Sequence, residues 1–279
     1  MIHTIHSSYL GAEGRSSAFD LTYSSIRKSS NLVLFLHGYK GFKDWGPWFL
    51  VAETFANQGF DFLKFNFSHN GGTVENPIDF PDLEAFANNT YSKEIEDLKC
   101  ILEMVSNGIP LGDEVANYDN IYLIGHSRGG GIAVLGANRF HRFEKMATWA
   151  SVADFGERFN FDQNDWKKTG VAYVQNSRTG QELPHNYRFY TDFIENQDQL
   201  NVLKSASEIR IPWLIAHGSE DEAVSLEDAS RLSEANPKAL TFIVESTGHT
   251  FGGKHPQDAD EMPLALQSLV NRTIGFFKD

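Results

Sequence analysis

Apolar residues along this chain follow two rhythms: short unbroken runs, and longer stretches in which they recur at helical spacing. Leu32-Val33-Leu34-Phe35-Leu36 is unbroken, the pattern of a strand buried on both faces of a parallel sheet. Phe60-Asp61-Phe62-Leu63-Lys64-Phe65-Asn66-Phe67, Ile121-Tyr122-Leu123-Ile124, Met146-Ala147-Thr148-Trp149-Ala150-Ser151-Val152, Trp213-Leu214-Ile215-Ala216 and Leu240-Thr241-Phe242-Ile243-Val244 read as further strands. Between them the spacing predicts helices over about 47–57 (stopped by Gly59), 91–106, 132–140, 198–207, 226–235 and 263–277. Residues 1–30 alternate apolar and polar in short bursts and turn around Gly11 and Gly14, which predicts an antiparallel pair at a sheet edge. With that pair the sheet has eight strands.

The alternation breaks between 154 and 197. This segment is rich in aromatics (Phe155, Phe159, Phe161, Trp166, Tyr173, Tyr187, Phe189, Tyr190) interleaved with Asn, Asp, Lys and Gly, and shows no strand-helix rhythm. The expected architecture is one α/β domain over 1–279, a mostly parallel eight-stranded sheet with helices on both faces. Residues 154–197 form a small cap inserted over the carboxyl edge of the sheet, where open α/β sheets bind their ligands. A polar loop through His69, Gly71 and Gly72 follows the strand that ends at Phe67.

Bulk properties narrow the function mainly by exclusion. A chain of 279 residues with 41% hydrophobic and 22% charged content is ordinary for a globular protein. Its formal charge of −13 argues against nucleic acid or anionic membrane as partner, since both repel such a surface. No apolar run approaches the ~20 residues of a membrane span. The first residues show no cationic region followed by an apolar run, so no signal peptide is expected, and a cytoplasmic protein is the default. The one cysteine, Cys100, excludes an internal disulfide and falls in the apolar helix pattern Ile95, Leu98, Ile101, Leu102, Val105.

The chemistry concentrates where the strand Ile121–Ile124 runs into Gly125-His126-Ser127-Arg128-Gly129 and a helix. A serine on a tight strand-to-helix turn, with Gly two before and two after, is the nucleophile-elbow pattern. With Gly and Ser each near ~7% of residues, the bare pentapeptide arises by chance in roughly one chain in ten of this length. The context and two distant partners therefore matter. A serine hydroxyl needs a base, and the base needs a group to orient it. The loop after Trp213–Ala216 reads His217-Gly218-Ser219-Glu220-Asp221-Glu222-Ala223-Val224, and the loop after Leu240–Val244 reads Glu245-Ser246-Thr247-Gly248-His249. Ser127, Asp221 and His249 stand in the order Ser…Asp…His.

On these residues the chain resembles the α/β-hydrolase superfamily over essentially its whole length. The resemblance implies Ser127 as nucleophile, Asp221 as the acid of a His-Gly-x-x-Asp-x-x-Val pattern, and His249, after Gly248, as base. It also implies an oxyanion hole from the backbone amide of Arg128 and one after the third strand. There His37-Gly38-Tyr39 matches the superfamily's His-Gly-x signature, so the second donor is Tyr39, with Lys40 as the neighbouring alternative because the triple-glycine form of the loop is absent. Trp45 and Trp48, beside that loop, are candidates to line the pocket, as are Phe155 and Trp166 from the insertion.

Rival assignments exist. Asp154 follows the sixth strand, where some superfamily members place the acid, and His255 is a second candidate base, though no strand directly precedes it. Glu220 and Glu222 flank Asp221 at the wrong spacing. His37, His126 and His217 read as structural residues at turns. No metal-spaced cluster and no Gly-x-Gly-x-x-Gly after a strand occurs, so neither metal nor organic cofactor is expected. A serine at the elbow disfavours the dehalogenase and epoxide hydrolase branches. Gly-His-Ser-x-Gly-Gly with a short insertion most resembles carboxylesterases, including feruloyl and cinnamoyl esterases, and monoacylglycerol-type lipases. The expected reaction is hydrolysis of a small acyl or aromatic ester through an acyl-enzyme at Ser127. Alternatives are a serine aminopeptidase or acyl-peptidase, a thioesterase, and a non-catalytic binding protein on the same scaffold.

Overall fold

The computed structural model describes residues 1–26, 29–111, 114–257 and 260–279. The amino-terminal hairpin, β1 (Ile2–Leu10) and β2 (Ser16–Ser24), pairs antiparallel along its length. It is followed by β3 (Asn31–Leu36), α1 (Trp48–Asn57) and β4 (Asp61–Phe65), then a short helix α2 (Leu83–Ala87) and the long α3 (Tyr91–Ser106). A small hairpin of β5 (Ile109–Leu111) and β6 (Glu114–Ala116) precedes β7 (Asn120–His126), α4 (Arg128–Phe140) and β8 (Lys145–Trp149). Residues 154–197 hold α5 (Gln163–Thr169), β9 (Val171–Gln175), β10 (Glu182–Asn186) and α6 (Arg188–Glu195). The alternation then resumes with α7 (Val202–Glu208), β11 (Trp213–Gly218), α8 (Leu226–Ala235), β12 (Leu240–Val244) and α9 (Leu264–Lys278).

The main sheet has eight strands in the order β1-β2-β4-β3-β7-β8-β11-β12. β1, β2 and β4 pair antiparallel, and every pairing from β4 through β12 is parallel. The unbroken run at 32–36 shows why the strands are apolar on both sides. Leu32, Leu34 and Leu36 pack on one face with Ile95 and Leu98 of α3 and Ile132 and Leu135 of α4. Val33 and Phe35 pack on the other with Val51 and Phe55 of α1 and Leu269 and Val270 of α9. Truncating one such leucine to alanine would cost about 2–5 kcal/mol. Cys100 is half-buried against the α3 face of this core.

Three local expectations are corrected. The helix expected over 198–207 starts only at Val202, because the Asn201 side chain accepts from Lys204 N–H at 2.9 Å and caps it there. The strand expected through Val152 ends at Trp149, and Ala150 is left-handed at φ 49°. The segment 154–197, expected to show no strand-helix rhythm, contains the two-stranded β9–β10 sheet between two helices. Both strands of that sheet are edges, so neither needs an apolar alternation. Pro184 is tolerated there opposite Tyr173.

Candidate active site

At the carboxyl end of β7 the chain turns at Ser127 into α4, with Ser127 at φ 57° and ψ −122°. Such geometry costs a non-glycine residue about 1–3 kcal/mol and persists only where surroundings enforce it. Here Ser127 N–H donates to Trp149 O at 2.9 Å, and Gly130 N–H donates to Ser127 O at 2.9 Å. The elbow also presses against the loop after β3. A Cβ on Gly129 would lie 2.4 Å from Leu36 O, and one on Gly38 would lie 2.8 Å from the Ser127 Cβ. Only glycine at both positions lets that loop and the serine meet.

His249 follows β12 and Asp221 follows β11, and their side chains meet: His249 Nδ1 lies 2.8 Å from Asp221 Oδ2. The Asp221 carboxylate is fully buried, and its other oxygen accepts from the backbone N–H of Ala223 and Val224, both at 2.9 Å. Burial alone would raise its pKa. Hydrogen bonds from His217 and His249, the charge of His249 and the Val224 amide outweigh it and hold the carboxyl well below the usual range. The rivals lie elsewhere. Asp154 is partly exposed, accepts from Gly156 N–H and faces Arg231. His255 accepts from Gly46 N–H through Nδ1 and stacks on Trp45. Glu220 and Glu222 are exposed.

The three other histidines at strand ends act as braces. His37 Nδ1 donates to Gly38 O at 2.9 Å while its Nε2 accepts from Phe67 N–H, and burial lowers its pKa to about 4. His126 Nε2 donates to the backbone O of His249 at 2.9 Å, and burial lowers its pKa to about 3. His217 Nε2 donates to Val224 O at 2.9 Å. The loop after β3 is fixed further along, where Lys43 pairs with Asp20 of β2 at 2.8 Å and Asp44 pairs with Lys64 of β4. Among the described residues the backbone N–H groups of Tyr39, Lys40 and Arg128 donate to no protein acceptor. The Arg128 side chain turns away into an aromatic cage, 4.3 Å from the Tyr39 ring centroid and 5.2 Å from that of Tyr91, with Glu94 at 3.3 Å.

Two cavities meet at Ser127 and His249. The larger, about 690 Å³, has walls that include Phe155, Phe159, Phe161 and Tyr173. The smaller, about 260 Å³, is lined by residues that include Trp45, Trp48 and 176–178. Trp45, Trp48 and Phe155 therefore face the space in front of Ser127. Trp166 does not. It is buried beneath the β9–β10 sheet, its indole N–H donating to His185 O at 2.8 Å, and it packs against Phe161 and Tyr187. Its role is core, because the indole is needed to satisfy and cover the hairpin from within.

No family model matches the sequence. The backbone, however, is similar to Est1E from Butyrivibrio proteoclasticus, with TM-score 0.70 and 15% identity over 98% of this chain and 99% of that one. Ferulic acid bound to the same Est1E gives TM-score 0.71 at 16% identity, covering 98% of each chain. The esterase domain from a Rhodothermus marinus protein gives 0.62 at 18% identity over 99% and 98%. This chain has the α/β-hydrolase fold. In an α/β-hydrolase fold the carboxyl ends of the parallel strands form the ligand edge, and Ser127, Asp221 and His249 follow three of them, β7, β11 and β12. His249, its Nδ1 2.8 Å from Asp221 Oδ2, lines the same cavity as Ser127. Among the described residues no hydrogen bond joins Ser127 Oγ to His249, a separation common in unliganded sites of this kind. Among them too, no cluster of His, Cys, Asp or Glu could hold a metal, and no helix is long and apolar enough to cross a membrane.

Sequence reasoning missed Tyr91, Arg158 and His185, which also line the larger cavity. Tyr91 opens the α3 pattern and looks like core. Arg158 and His185 were the available signals, a cation and an imidazole inside an aromatic-rich segment.

Proposed function

We propose that this protein is a serine carboxylic-ester hydrolase acting on a small acyl or aromatic ester. The observation that carries the reading is a strained Ser127 sharing a cavity with an imidazole whose far nitrogen is held by a buried carboxylate. His249 Nε2 takes the Ser127 proton as Oγ attacks the ester carbonyl. Asp221 fixes the tautomer and stabilises the imidazolium. The backbone N–H groups of Arg128 and Tyr39 hold the oxyanion. The C–O bond to the alcohol then breaks, His249 gives its proton to the leaving oxygen, and an acyl-enzyme remains. Water, deprotonated by His249, attacks that carbonyl, and the acid leaves as Ser127 regains its proton. Residues 154–197 serve as a cap whose aromatic side chains favour an apolar or aromatic group, the class to which the ferulic acid bound to Est1E belongs.

The test is covalent labelling with a fluorophosphonate, together with turnover of aryl esters, thioesters and aminoacyl anilides side by side. Labelling and ester turnover should both vanish in Ser127→Ala, a loss of about 10⁴-fold or more. Anilide turnover exceeding ester turnover would move the reading to an aminopeptidase. A folded protein that never reacts with the probe would point to a binding protein on the same scaffold.

A further inference from the structure

The walls in front of Ser127 carry a charge opposite to that of the whole chain. The protein has 37 acidic residues against 24 basic ones. Yet among the residues lining the two cavities there is no Asp or Glu, while Lys40, Arg128, Arg158 and Arg178 are all present. Three of these cations are held by a carboxylate outside both linings: Arg128 by Glu94 at 3.3 Å, Arg158 by Asp228 at 3.1 Å, and Arg178 by Asp79. Such pairs leave little net charge for a ligand.

Lys40 differs from the other three. It lines both cavities, is half-buried, and forms no ion pair with any carboxylate among the described residues. Its ammonium lies over the Tyr39 ring, 5.5 Å from Nζ to the centroid. Its backbone is left-handed at φ 54°, a conformation that disfavours a lysine. Burial with no compensating anion lowers its pKa. Half-buried at the meeting of two cavities and without a carboxylate partner, its ammonium is open to an anion brought by a ligand. Phe155, Phe159 and Phe161 form apolar wall in the same cavity, so the anion must be carried on a molecule with an apolar or aromatic body.

We propose, resting on the esterase reading above, that Lys40 is an anion subsite and that the substrate is an ester bearing a carboxylate on an aromatic or apolar body. Lys40 Nζ donates to that carboxylate, and the paired arginines tolerate the charge without competing for it. The subsite sets substrate choice. The carbonyl chemistry stays with Ser127, His249 and Asp221.

Isosteric pairs that differ only in charge test this. On the acyl side these are 4-nitrophenyl 4-carboxybenzoate and its 4-carbamoyl twin; on the alcohol side, 4-carboxyphenyl butyrate and its 4-carbamoyl twin. Binding is measured by calorimetry on Ser127→Ala protein, which does not depend on turnover, and cleavage is measured on the intact enzyme. In at least one pair the carboxylate should bind about 10- to 100-fold more tightly, the worth of one charge-assisted hydrogen bond. Lys40→Asn, which suits a left-handed backbone, should bring that ratio to within about threefold, and Lys40→Arg should keep most of it. A merely structural Lys40 would weaken both members of a pair alike. Equal binding in both pairs would overturn the proposal, and so would a preference that survives Lys40→Asn. The pair that responds shows whether the charge rides on the acyl or the alcohol group. Neutral esters cleaved with no charge preference would sink this inference alone. Tight carboxylate binding without any cleavage would sink the hydrolase reading and leave the subsite standing.

Discussion

Asp221, in the loop after β11, and Asp97, in the middle of α3, are built alike up to a point. Both side chains are buried, and each accepts two backbone N–H groups: Ala223 and Val224 for Asp221, Ala12 and Ser68 for Asp97. What faces the rest of the carboxylate differs. Asp221 Oδ2 meets two imidazoles, His249 at 2.8 Å and His217 at 3.3 Å. Asp97 Oδ2 meets the Ser68 hydroxyl at 3.0 Å, and the charge nearby is the carboxylate of Glu94. Burial accordingly pushes the Asp97 carboxyl up to about 7, while Asp221 is held below the usual range. At Asp97 two amide donors do not offset burial, whereas at Asp221 the two imidazoles add to the amides and outweigh it. Once protonated, Asp97 can donate to Ser68 Oγ, whose hydroxyl in turn can donate to His69 Nδ1 at 2.8 Å. That chain ties the β1–β2 turn and the loop after β4 to α3. Asp97 ties loops to a helix, and Asp221 holds the imidazole that the proposed mechanism uses.

The contrast predicts its largest effect in turnover. Asp221→Asn should lower kcat on 4-nitrophenyl acetate by about 10⁴-fold with the near-ultraviolet circular dichroism unchanged, because the amide orients His249 in the wrong tautomer. Asp154→Asn and Asp97→Asn should stay within about threefold of wild type, since neither touches His249. A comparable kcat loss in Asp97→Asn would break the comparison outright.

The next effect is in stability against pH. Between the unfolded pKa near 4 and the folded value of about 7, the folded state keeps a proton on Asp97 that the unfolded chain has released. The contribution of Asp97 to stability therefore falls as pH rises through that window, with a slope of at most about 1.4 kcal/mol per pH unit, whereas the buried His37 and His126 contribute with the opposite sign. Asp221 has the opposite sign. Its contribution is present above the unfolded pKa and is lost as pH falls below about 4. Denaturant titrations from pH 3 to 8 should find the slope between 4 and 7 made more positive by up to about 1.4 kcal/mol per pH unit in Asp97→Asn and left as in wild type in Asp221→Asn. If Asp97→Asn kept that slope, another group would be its source.

The sheet strands were legible because burial on both faces forces unbroken apolar runs, so Leu32–Leu36 and Trp213–Ala216 announce themselves. The residues of the candidate site were legible by motif, because a tight elbow and a short loop after each strand confine Ser127, Asp221 and His249 to fixed offsets from strand ends. The β9–β10 sheet was not. β9 is half in solvent along its length, and in β10 the buried positions are Leu183 and the polar His185, so burial alternates without apolar residues marking it, and Pro184 argues against a strand by local preference. Nor could sequence separate Phe155 from Trp166. Both are aromatic, both are almost fully buried, and only the tertiary path of the segment decides which reaches the cavity.

That last distinction gives the smallest predicted effect. Phe155 lines the larger cavity but also stacks on Tyr91 at 4.0 Å between centroids, and its ring fills the space beside Gly131. Trp166 holds the hairpin from beneath. Removing either should cost about 3–5 kcal/mol of stability, so neither reports on substrate choice. Phe159 is only partly buried and Tyr173 is 57% exposed, yet both line the larger cavity. Their truncation removes wall without removing core. Phe159→Ala should change the ratio of kcat/KM between a benzoyl and an acetyl ester by about tenfold, as expected for one apolar contact, and Tyr173→Ala by about threefold. Turnover of the acetyl ester should stay within about tenfold in both, since a minimal acyl group does not reach that wall. Thermal melts run alongside would separate the two classes. An unchanged ratio in Phe159→Ala and Tyr173→Ala, with both proteins folded, would place selection in the smaller cavity, between Trp45 and Arg178.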